Sequence, residues 1–231
     1  MTDTKKNDKV EAVDVVHAPE VAPSDLEGNA RERLKEVAIR LFAQSGIDGV
    51  STRDIAREAN VNISLISYYF GGKEGLYKTA VLEYAQLAVG DLTQLMDSYH
   101  ADSLNKADYM KLMRGIITGI IQFKLRSPQM SELMMREILA GLPHMREMYA
   151  TLFNTVAIRI MDIFAVAQKK GIVRADVNGH TWLFAIMHSM DSYFFASKCG
   201  TPFTDKSYKI PEEKDLFIDQ LMKIFVEGVM K

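Results

Sequence analysis

Apolar residues recur at helical spacing along most of this 231-residue chain. In the N-terminal third, Leu34, Ala38 and Phe42 follow one another at intervals of four residues, which places them on one side of a helix. That helix is expected to begin at Asn29, which suits an N-cap, and to end near Gly46, where glycine suits the left-handed conformation of a helix C-terminus. No segment alternates apolar and polar residues convincingly enough to predict a strand.

The rest of the chain shows the same pattern, interrupted by glycine, proline and polar residues. We expect about nine helices in all, without an internal repeat or a low-complexity tract. Apart from the segment 51–70, the predicted helices after the first cover about 73–99, 106–126, the segment up to 141, 143–170, a helix capped by Asp176 or Asn178 that runs to about Lys198, and 211–230. The predicted fold is all-α, with an N-terminal three-helix module followed by a larger helical bundle.

The first 28 residues differ from the rest of the chain. They contain no aromatic residue, include two prolines and show no sustained period, which is typical of a disordered arm. Residues 1–29 hold 3 Lys and Arg against 7 Asp and Glu, whereas residues 30–78 hold 8 against 6. An acidic arm beside a mildly basic module is compatible with DNA binding. The overall net charge of −2 argues against a protein that coats nucleic acid or anionic membrane indiscriminately.

The most informative segment, 51–70, predicts two short helices around a tight turn. Ile55 and Ala56 give the first helix a small apolar face, and a bulkier side chain at Ala56 would push the second helix away. In the turn, Asn60 tolerates a positive φ, Val61 points to the core and Asn62 is placed to cap the second helix. This is the pattern of a helix-turn-helix, whose second helix enters the major groove of DNA.

The second helix of this motif has two different sides. Ile66 and Phe70 lie four residues apart and should hold the helix against the module. The outward face carries Ile63, Ser64, Ser67 and Tyr68, with Tyr69 near its end. Short hydroxyl and aromatic side chains on a projecting helix suit contacts with base edges and phosphates. The alternative, that the aromatic residues only form core, is what we expect for Phe70.

These motifs resemble the TetR family of bacterial regulators. The similarity covers about residues 30–78: an Ala-x-x-Leu-Phe helix, Gly46, Ser51-Thr52-x-x-Ile55-Ala56, Val61 and Tyr69-Phe70-x-x-Lys73-Glu74-x-Leu76. A second patch, Gly171-Ile-Val-Arg-Ala-Asp176, is similar to the family's junction between its seventh and eighth helices. The sequence departs from the family pattern at Asn60, where glycine is usual, and at Ser67, where a phosphate-contacting tyrosine is common.

The resemblance implies a homodimer whose recognition helices enter successive major grooves of a double-stranded DNA operator. It also implies that Thr52 and Arg53 reach the DNA from the second helix, and that Lys73 anchors a phosphate from the start of the fourth. Together with the outward face of the recognition helix, it predicts further DNA contacts by Asn62, Ile63, Ser64, Leu65, Ser67, Tyr68 and Tyr69.

The C-terminal bundle is rich in methionine, since 13 of the 14 methionines lie beyond residue 78 among many aromatic residues. Most should be ordinary core, but the resemblance implies that some line a cavity for a small, largely apolar effector. The candidate effector-binding residues are Phe123, Met134, Tyr149, Phe153, Met187, His188 and Asp191. His188 and Asp191 lie three residues apart, and they either meet a polar group of the ligand or form an ordinary core or interface contact.

The helix at 180–198 is apolar nearly all round, so one side should face the bundle and the other a dimer partner, with the last helix completing that interface.

No Glu-x-x-His pair, HExxH, GxSxG or P-loop motif occurs, so we expect no enzyme, no cofactor and no metal site. Cys199 is the only cysteine, no apolar signal segment is found at the start, and the apolar runs fall short of the ~20 residues of a membrane span. A cytoplasmic location without membrane attachment is therefore expected.

The expected function is that of a ligand-responsive DNA-binding transcription regulator, a homodimeric repressor released from a palindromic operator by a small apolar effector. The alternative is an effector-independent DNA-binding adaptor or an activator. A closed cavity of about 300–1,000 Å³ in the bundle would distinguish the two. The predicted domains are a disordered acidic arm at 1–28, a helix-turn-helix domain at 29–78 and an effector-binding and dimerisation domain at 79–231.

Overall fold

The structure, a computed structural model, describes residues 23–199 and 210–231. These ranges contain nine helices: α1 (Pro23–Ser45), α2 (Thr52–Glu58), α3 (Ser64–Phe70), α4 (Lys73–Asp97), α5 (Lys106–Arg126), α6 (Pro128–Leu139), α7 (Arg146–Lys169), α8 (Gly179–Cys199) and α9 (Ile210–Leu221). The described residues form no β-strand, only an isolated antiparallel bridge between Val173 and Met230. The predicted all-α fold, with a helix-turn-helix followed by a larger bundle, is confirmed.

The first helix begins at Pro23, and the predicted start at Asn29 is wrong. Proline has no amide hydrogen to leave unpaired in the first turn, and its fixed φ suits the start of a helix. Residues 23–28 therefore belong to α1 and not to the predicted disordered arm, whose other residues, 1–22, lie outside the described part of the chain. The predicted end is confirmed, because Gly46 has a φ of +73° and its amide donates to the Phe42 carbonyl at 2.8 Å.

The helices α1, α2 and α3 enclose a first hydrophobic core together with the beginning of α4; we call it the N-terminal core. Phe42, Ile55, Ile66 and Tyr77, one from each of these helices, are almost completely buried in it. The rings of Phe42 and Tyr77 meet edge to face with their centroids 5.2 Å apart. The N-terminal core thus fixes α3, the recognition helix, against three other helices.

The helix α6 also packs on the N-terminal core, which was not expected from the sequence. Met130 and Leu133 of α6, and Met145 after it, are buried together with residues of α1 and α4. The sequence prediction placed this helix in the bundle domain. The spacing of apolar residues shows that a helix has one side to bury, but it does not say which core will cover that side.

A second core, the bundle core, lies between the C-terminal half of α4 and α5, α7, α8 and α9. Phe164 of α7 packs against Trp182 of α8 with ring centroids 4.5 Å apart. The indole N–H of Trp182 donates to the Phe225 carbonyl at 2.6 Å, in the π-helical turn Met222–Val226 that follows α9. The aromatic contact thus joins α7 to α8, and the hydrogen bond joins α8 to the turn that follows α9.

By length and composition, α7 is apolar enough to cross a membrane. It has 24 residues and contains a π-helical turn, Tyr149–Phe153. The sequence prediction missed a segment of this length because the polar residues in it divide the apolar runs. A single helix of this kind is weak support for a membrane span, and Val156, Ile160 and Phe164 of α7 are buried in the bundle core.

Candidate DNA-binding and effector sites

The turn between α2 and α3 is held by short polar side chains. The Ser51 hydroxyl accepts a hydrogen bond from the Asp54 amide at 3.1 Å and so caps α2. Asn60 has a φ of +52°, the left-handed conformation predicted for it. The Asn62 side chain then accepts the Ser64 amide at 2.9 Å and caps α3, as predicted. Because each of these contacts is local, the chain direction at the start of α3 is set by the turn itself.

The recognition helix α3 has one buried side and one exposed side. Ile66 is 1% exposed, and Phe70 is buried beside it in the N-terminal core, as the sequence predicts. On the other side Tyr68 is 77% exposed, and the structure also exposes Ile63, Ser64 and Ser67. The outer face of α3 therefore presents two hydroxyls, a phenol and an aliphatic side chain, which suit base edges, phosphates and thymine methyl groups.

Two of the predicted contact residues on α3, Leu65 and Tyr69, are half-buried and pack against the N-terminal core. The Tyr69 ring lies between those of its neighbours, with centroids 5.0 Å from Tyr68 and 6.1 Å from Phe70. Edge contacts of this kind restrict the orientation of a ring. Tyr69 therefore supports Tyr68 in its outward position as well as lying close to the outer face itself.

The remaining predicted contacts lie at the starts of α2 and α4. Arg53 is exposed in the first turn of α2, and Thr52 beside it is half-buried. The Lys73 ammonium donates to the carbonyl oxygens of Ile47 at 2.8 Å and Val50 at 3.1 Å. Lysine has three N–H donors, so two of them tie α4 to the loop between α1 and α2. This structural role of Lys73 was not predicted from the sequence.

A cluster of charged residues supports α3 from behind. The Arg31 guanidinium lies 5.5 Å from the centroid of the Phe70 ring and donates to Glu83 of α4 at 2.7 Å. Glu83 also accepts a hydrogen bond from Lys35. Burial acts to raise the pKa of Glu83, but the hydrogen bonds and positive charges of Lys35 and Arg31 outweigh it and lower that pKa. The carboxylate thus stays charged and connects α1 to α4.

A buried carboxylate joins the N-terminal core to α6. Glu137 accepts hydrogen bonds from the Tyr77 hydroxyl at 2.8 Å and from the His144 amide at 3.1 Å, and its Oε1 lies 3.0 Å from Nδ1 of His144. Burial, and after it the contact with Glu137, raises the pKa of Tyr77, so this hydroxyl remains a donor. The neighbouring Arg136 donates to two carbonyl oxygens at the end of α1, each at 3.2 Å. Hence α6 is attached to the DNA-binding helices at two points.

The predicted effector-binding residues are not gathered around one cavity. Met134 packs against the N-terminal core, and His188 is exposed, with its ring centroid 4.1 Å from that of Phe184. Asp191 forms an ion pair with Lys124 of α5. His188 and Asp191 were expected either to meet a polar group of a ligand together or to form an ordinary core or interface contact. In the structure Asp191 pairs with Lys124, and His188 lies beside Phe184.

Four other candidates lie in the bundle. Tyr149 and Phe153 share the π-helical turn of α7, with ring centroids 5.2 Å apart. Met187 is half-buried against the bundle core. Phe123 packs on Tyr84 at 4.5 Å between ring centroids, and the Tyr84 hydroxyl donates to the Phe123 carbonyl at 3.0 Å. Lys124, which meets Asp191, was not a candidate because nothing near it in the sequence suggests an acidic partner.

The pockets among the described residues include two small, open ones. One of about 190 Å³ lies between α4 and α5 and includes Phe123. These helices approach closely at Gly115 and Gly119, where an added Cβ would lie 2.9 Å from a leucine side chain of α4. The other, of about 180 Å³, lies between Met96 of α4 and Arg159 of α7. Both are smaller than the ~300–1,000 Å³ of typical ligand sites.

Residues 34–80, from α1 to the start of α4, match the model of the bacterial regulatory proteins of the tetR family. The chain is 27% identical over 123 residues to the probable HTH-type transcriptional regulator YttP of Bacillus subtilis, covering 53% of this chain and 57% of that protein. It is 25% identical over 149 residues to the HTH-type transcriptional repressor NicS of Pseudomonas putida, covering 64% of this chain and 67% of that one. The matched part thus spans little more than half of the first relative.

Among solved structures, the chain is similar to the ketosteroid transcriptional regulator KstR2 of Mycobacterium tuberculosis. The TM-score is 0.61 at 17% identity, and the match covers 87% of this chain and 95% of that one. At this identity the likeness shows the fold alone. The family match and the fold therefore agree on the same helix-turn-helix module, joined to a helical bundle.

Proposed function

We propose that the chain is a DNA-binding transcription regulator of the TetR family, and that it acts in the cytoplasm as a homodimeric repressor of a palindromic operator. A small, largely apolar effector bound to the C-terminal bundle releases it from that DNA. The protein carries out no catalytic step and uses no cofactor or metal ion in this role.

The observation that carries the proposal is the outer face of α3. Ile63, Ser64, Ser67 and Tyr68 are exposed there, while Ile66 on the opposite side is anchored in the N-terminal core. A helix fixed in this way holds its outward groups in one arrangement, which base-specific contact requires. The supporting DNA contacts come from the flanks of α3 and from the starts of α2 and α4: Thr52, Arg53, Asn62, Leu65, Tyr69 and Lys73.

The proposed dimer forms through α8 and α9. Phe184 of α8 is 67% exposed in the single chain, and Leu216 of α9 and Ile224 in the following turn are exposed as well. Large apolar side chains left in water favour burial against another protein surface, and a two-fold axis lets the same patch serve both subunits. Such a dimer holds two α3 helices at a fixed spacing, which should match half-sites about 34–36 Å apart.

The response to an effector depends on α4, which belongs to both cores. Tyr77 and Val81 lie in the N-terminal core, whereas Leu92 and Met96 lie in the bundle core. A ligand that fits the bundle in only one position of α4 must therefore change the spacing of the two recognition helices. Shifting the DNA-binding equilibrium from 1:99 to 99:1 requires about 5.5 kcal/mol of differential affinity.

The first experiment is selection of bound fragments from random DNA by the purified protein. We expect an inverted repeat whose half-sites are read equally by the two subunits. Substitution of Ser64 or Tyr68 by alanine should alter the base preference at one position of the site. The binding free energy that separates the preferred base from the others there should change by about 1–3 kcal/mol. Recovery of fragments without any common sequence, at both low and physiological salt, would refute the proposal.

The second experiment tests the effector response by linkage. Candidate apolar compounds are titrated into the protein with and without operator DNA. Operator must weaken effector binding by the same factor by which effector weakens DNA binding. Compounds that bind tightly with the same affinity in both titrations would contradict the release mechanism.

The small volumes of the pockets at Phe123 and at Met96, among the described residues, favour a second candidate function, that of an effector-independent DNA-binding adaptor or activator. It uses the same α3 contacts and the same dimer. The two functions differ in the linkage titration, since the adaptor's operator affinity is unchanged by every compound that binds the bundle.

A further inference from the structure

An ion pair with both side chains mostly buried lies within the bundle, away from the DNA-binding helices. Lys124, in the last turn of α5, pairs with Asp191 of α8, and their side chains are only 17% and 15% exposed. The Lys124 ammonium also lies 5.7 Å from the centroid of the Phe194 ring, within the distance of a cation–π interaction. A positive charge at this place therefore meets both a carboxylate and an aromatic face.

Two further aromatic side chains belong to the same surroundings. Tyr149 and Phe153 stand together on the π-helical turn of α7. Burial, and after it the negative charge of Asp191, raises the pKa of Tyr149. π-helical turns inside α-helices occur frequently at functional sites. The ion pair of Lys124 and Asp191 thus belongs to a region where α5, α7 and α8 contribute both charged and aromatic side chains.

The two partners of the ion pair differ in their freedom to move when the pair opens. Lys124 has a flexible four-carbon stem at a helix end, so its ammonium is able to move out to solvent. Asp191 has a short side chain inside α8 and remains in place. An incoming cation therefore restores the charge balance at Asp191. An incoming anion would leave Asp191 unpaired and add a second negative charge beside it.

We propose that the Lys124 ammonium occupies the place of an organic cation, and that the effector is an apolar molecule whose ammonium group replaces Lys124 at Asp191. This inference rests on the proposed function, in which a small, largely apolar molecule binds the bundle. Lys124 is a tethered competitor that neutralises Asp191 while no effector is bound. The aromatic rings of Phe194, Tyr149 and Phe153 bind the apolar part of the molecule.

Lys124 lies next to α6, the helix that contacts the DNA-binding module. The Ser131 hydroxyl of α6 donates to the Lys124 carbonyl at 3.2 Å, so the last turn of α5 and the first turns of α6 are joined there. Farther along α6, Arg136 and Glu137 are bonded to α1 and α4. Movement of Lys124 away from Asp191 would therefore act on α6 through Ser131, and α6 is bonded directly to helices of the N-terminal core.

The test uses the full-length protein and benzyltrimethylammonium, a permanent cation with one aromatic ring, in calorimetric titrations. Lys124→Gln removes the competing charge and keeps a polar group, so it should bind the probe at least about tenfold more tightly than the unaltered chain. Asp191→Asn should bind it at least about tenfold more weakly than the unaltered chain. The double variant should lose the gain of Lys124→Gln. Phenylacetate, an anion of similar size, should bind to none of them.

Two results would overturn the inference. One is equal affinity of the unaltered chain and Lys124→Gln for the cation, with unchanged helix content by circular dichroism. The other is tighter binding of phenylacetate than of the cation to the unaltered chain, which would assign Lys124 to an anionic ligand. Failure of the proposed function is distinct: binding of the cation that depends on Asp191 but leaves operator affinity unchanged keeps the site and refutes the effector response.

Discussion

Two buried tyrosines show how the N-terminal core and the bundle core differ. Tyr77 in the N-terminal core and Tyr109 in the bundle core are both almost completely inaccessible. The Tyr77 hydroxyl donates to Glu137, whereas the Tyr109 hydroxyl has no hydrogen-bond partner among the described residues. Burial raises the pKa of Tyr109, so its hydroxyl stays protonated. A buried polar group without a partner costs about 1–3 kcal/mol.

The same contrast extends to the helices around the two cores. Polar side chains fix the junctions of the DNA-binding helices, where Asn62 caps α3, Lys73 ties α4 to the preceding loop and Glu137 joins α6 to α4. In the bundle, π-helical turns interrupt α7 and follow α9, and Phe184 is exposed. The comparison indicates that polar contacts hold the helices around the N-terminal core in one geometry, whereas the bundle leaves irregular helix turns and a large apolar side chain at its surface, where the proposed dimer would form.

The largest expected effect comes from the buried side of α3. Ile66→Ala should lower the free energy of unfolding by about 2–5 kcal/mol, because it leaves a cavity in the N-terminal core. The matched variant Ile63→Ala, on the exposed side of the same helix, should leave that free energy nearly unchanged and affect operator affinity only. Urea denaturation and DNA titration separate the two. Equal loss of stability in both variants would show that α3 does not have one buried and one exposed side.

The next effect concerns the apolar side chains exposed on the bundle. Phe184→Asp should weaken dimerisation by at least about a hundredfold, because it would place an unpaired charge in the proposed subunit interface. Leu139→Asp, at an exposed leucine of α6, is the control and should leave the dimer intact. Sedimentation equilibrium measures both. If Leu139→Asp dissociates the dimer and Phe184→Asp does not, the subunit interface lies at α6 and not on the bundle surface at α8. The partner surface would then belong to the part of the molecule that packs on the N-terminal core.

The two tyrosines provide a direct test of the contrast between the cores. Tyr77→Phe should lower the free energy of unfolding by about 1–3 kcal/mol, because it removes a donor from the buried carboxylate of Glu137. Tyr109→Phe should be neutral or stabilising, since no bond among the described residues is lost. The free energies are obtained from urea denaturation at constant pH. A destabilisation by Tyr109→Phe as large as that by Tyr77→Phe would remove the difference between the cores.

The smallest effect separates the two roles of Lys73. Lys73→Met should lower the free energy of unfolding by about 1 kcal/mol through the lost bonds to the Ile47 and Val50 carbonyls. If Lys73 also contacts a phosphate, the salt dependence of operator binding should flatten by about 0.9 units of slope. Lys78→Met, at an exposed lysine of the same helix, should change neither. A loss of stability with an unchanged salt slope would leave Lys73 with its structural role alone.

The helices and the recognition motif could be predicted from the sequence because they depend on contacts between near neighbours. Asn60 and Asn62 act within one or two residues of their own positions, and Ile66 and Phe70 lie one helical turn apart. Hydrogen bonding along a helix and the period of 3.6 residues are local properties, so the sequence contains them directly. The resemblance of residues 30–78 to a known family rests on the same local positions.

The start of α1 was predicted wrongly from the local sequence, at Asn29 and not at Pro23. Asn29 and Pro23 both suit the beginning of a helix, and the choice between them depends on whether the preceding turn is formed. The effector-binding candidates show a second kind of limit. Met134 and Met187 were both predicted to line one effector cavity, but each is half-buried and the two pack on different cores.

The all-helical fold, the helix-turn-helix and the outward face of α3 could all be read from the order of residues in the chain. Only the tertiary structure decided that α6 packs on the N-terminal core, that Glu137 receives the Tyr77 hydroxyl from 60 residues away, and that Lys124 meets Asp191 from 67 residues away. The physical reason is the range of the interactions. A helix forms from bonds between residues four apart, whereas the partner of a buried side chain is chosen by the packing of helices that are distant in the chain.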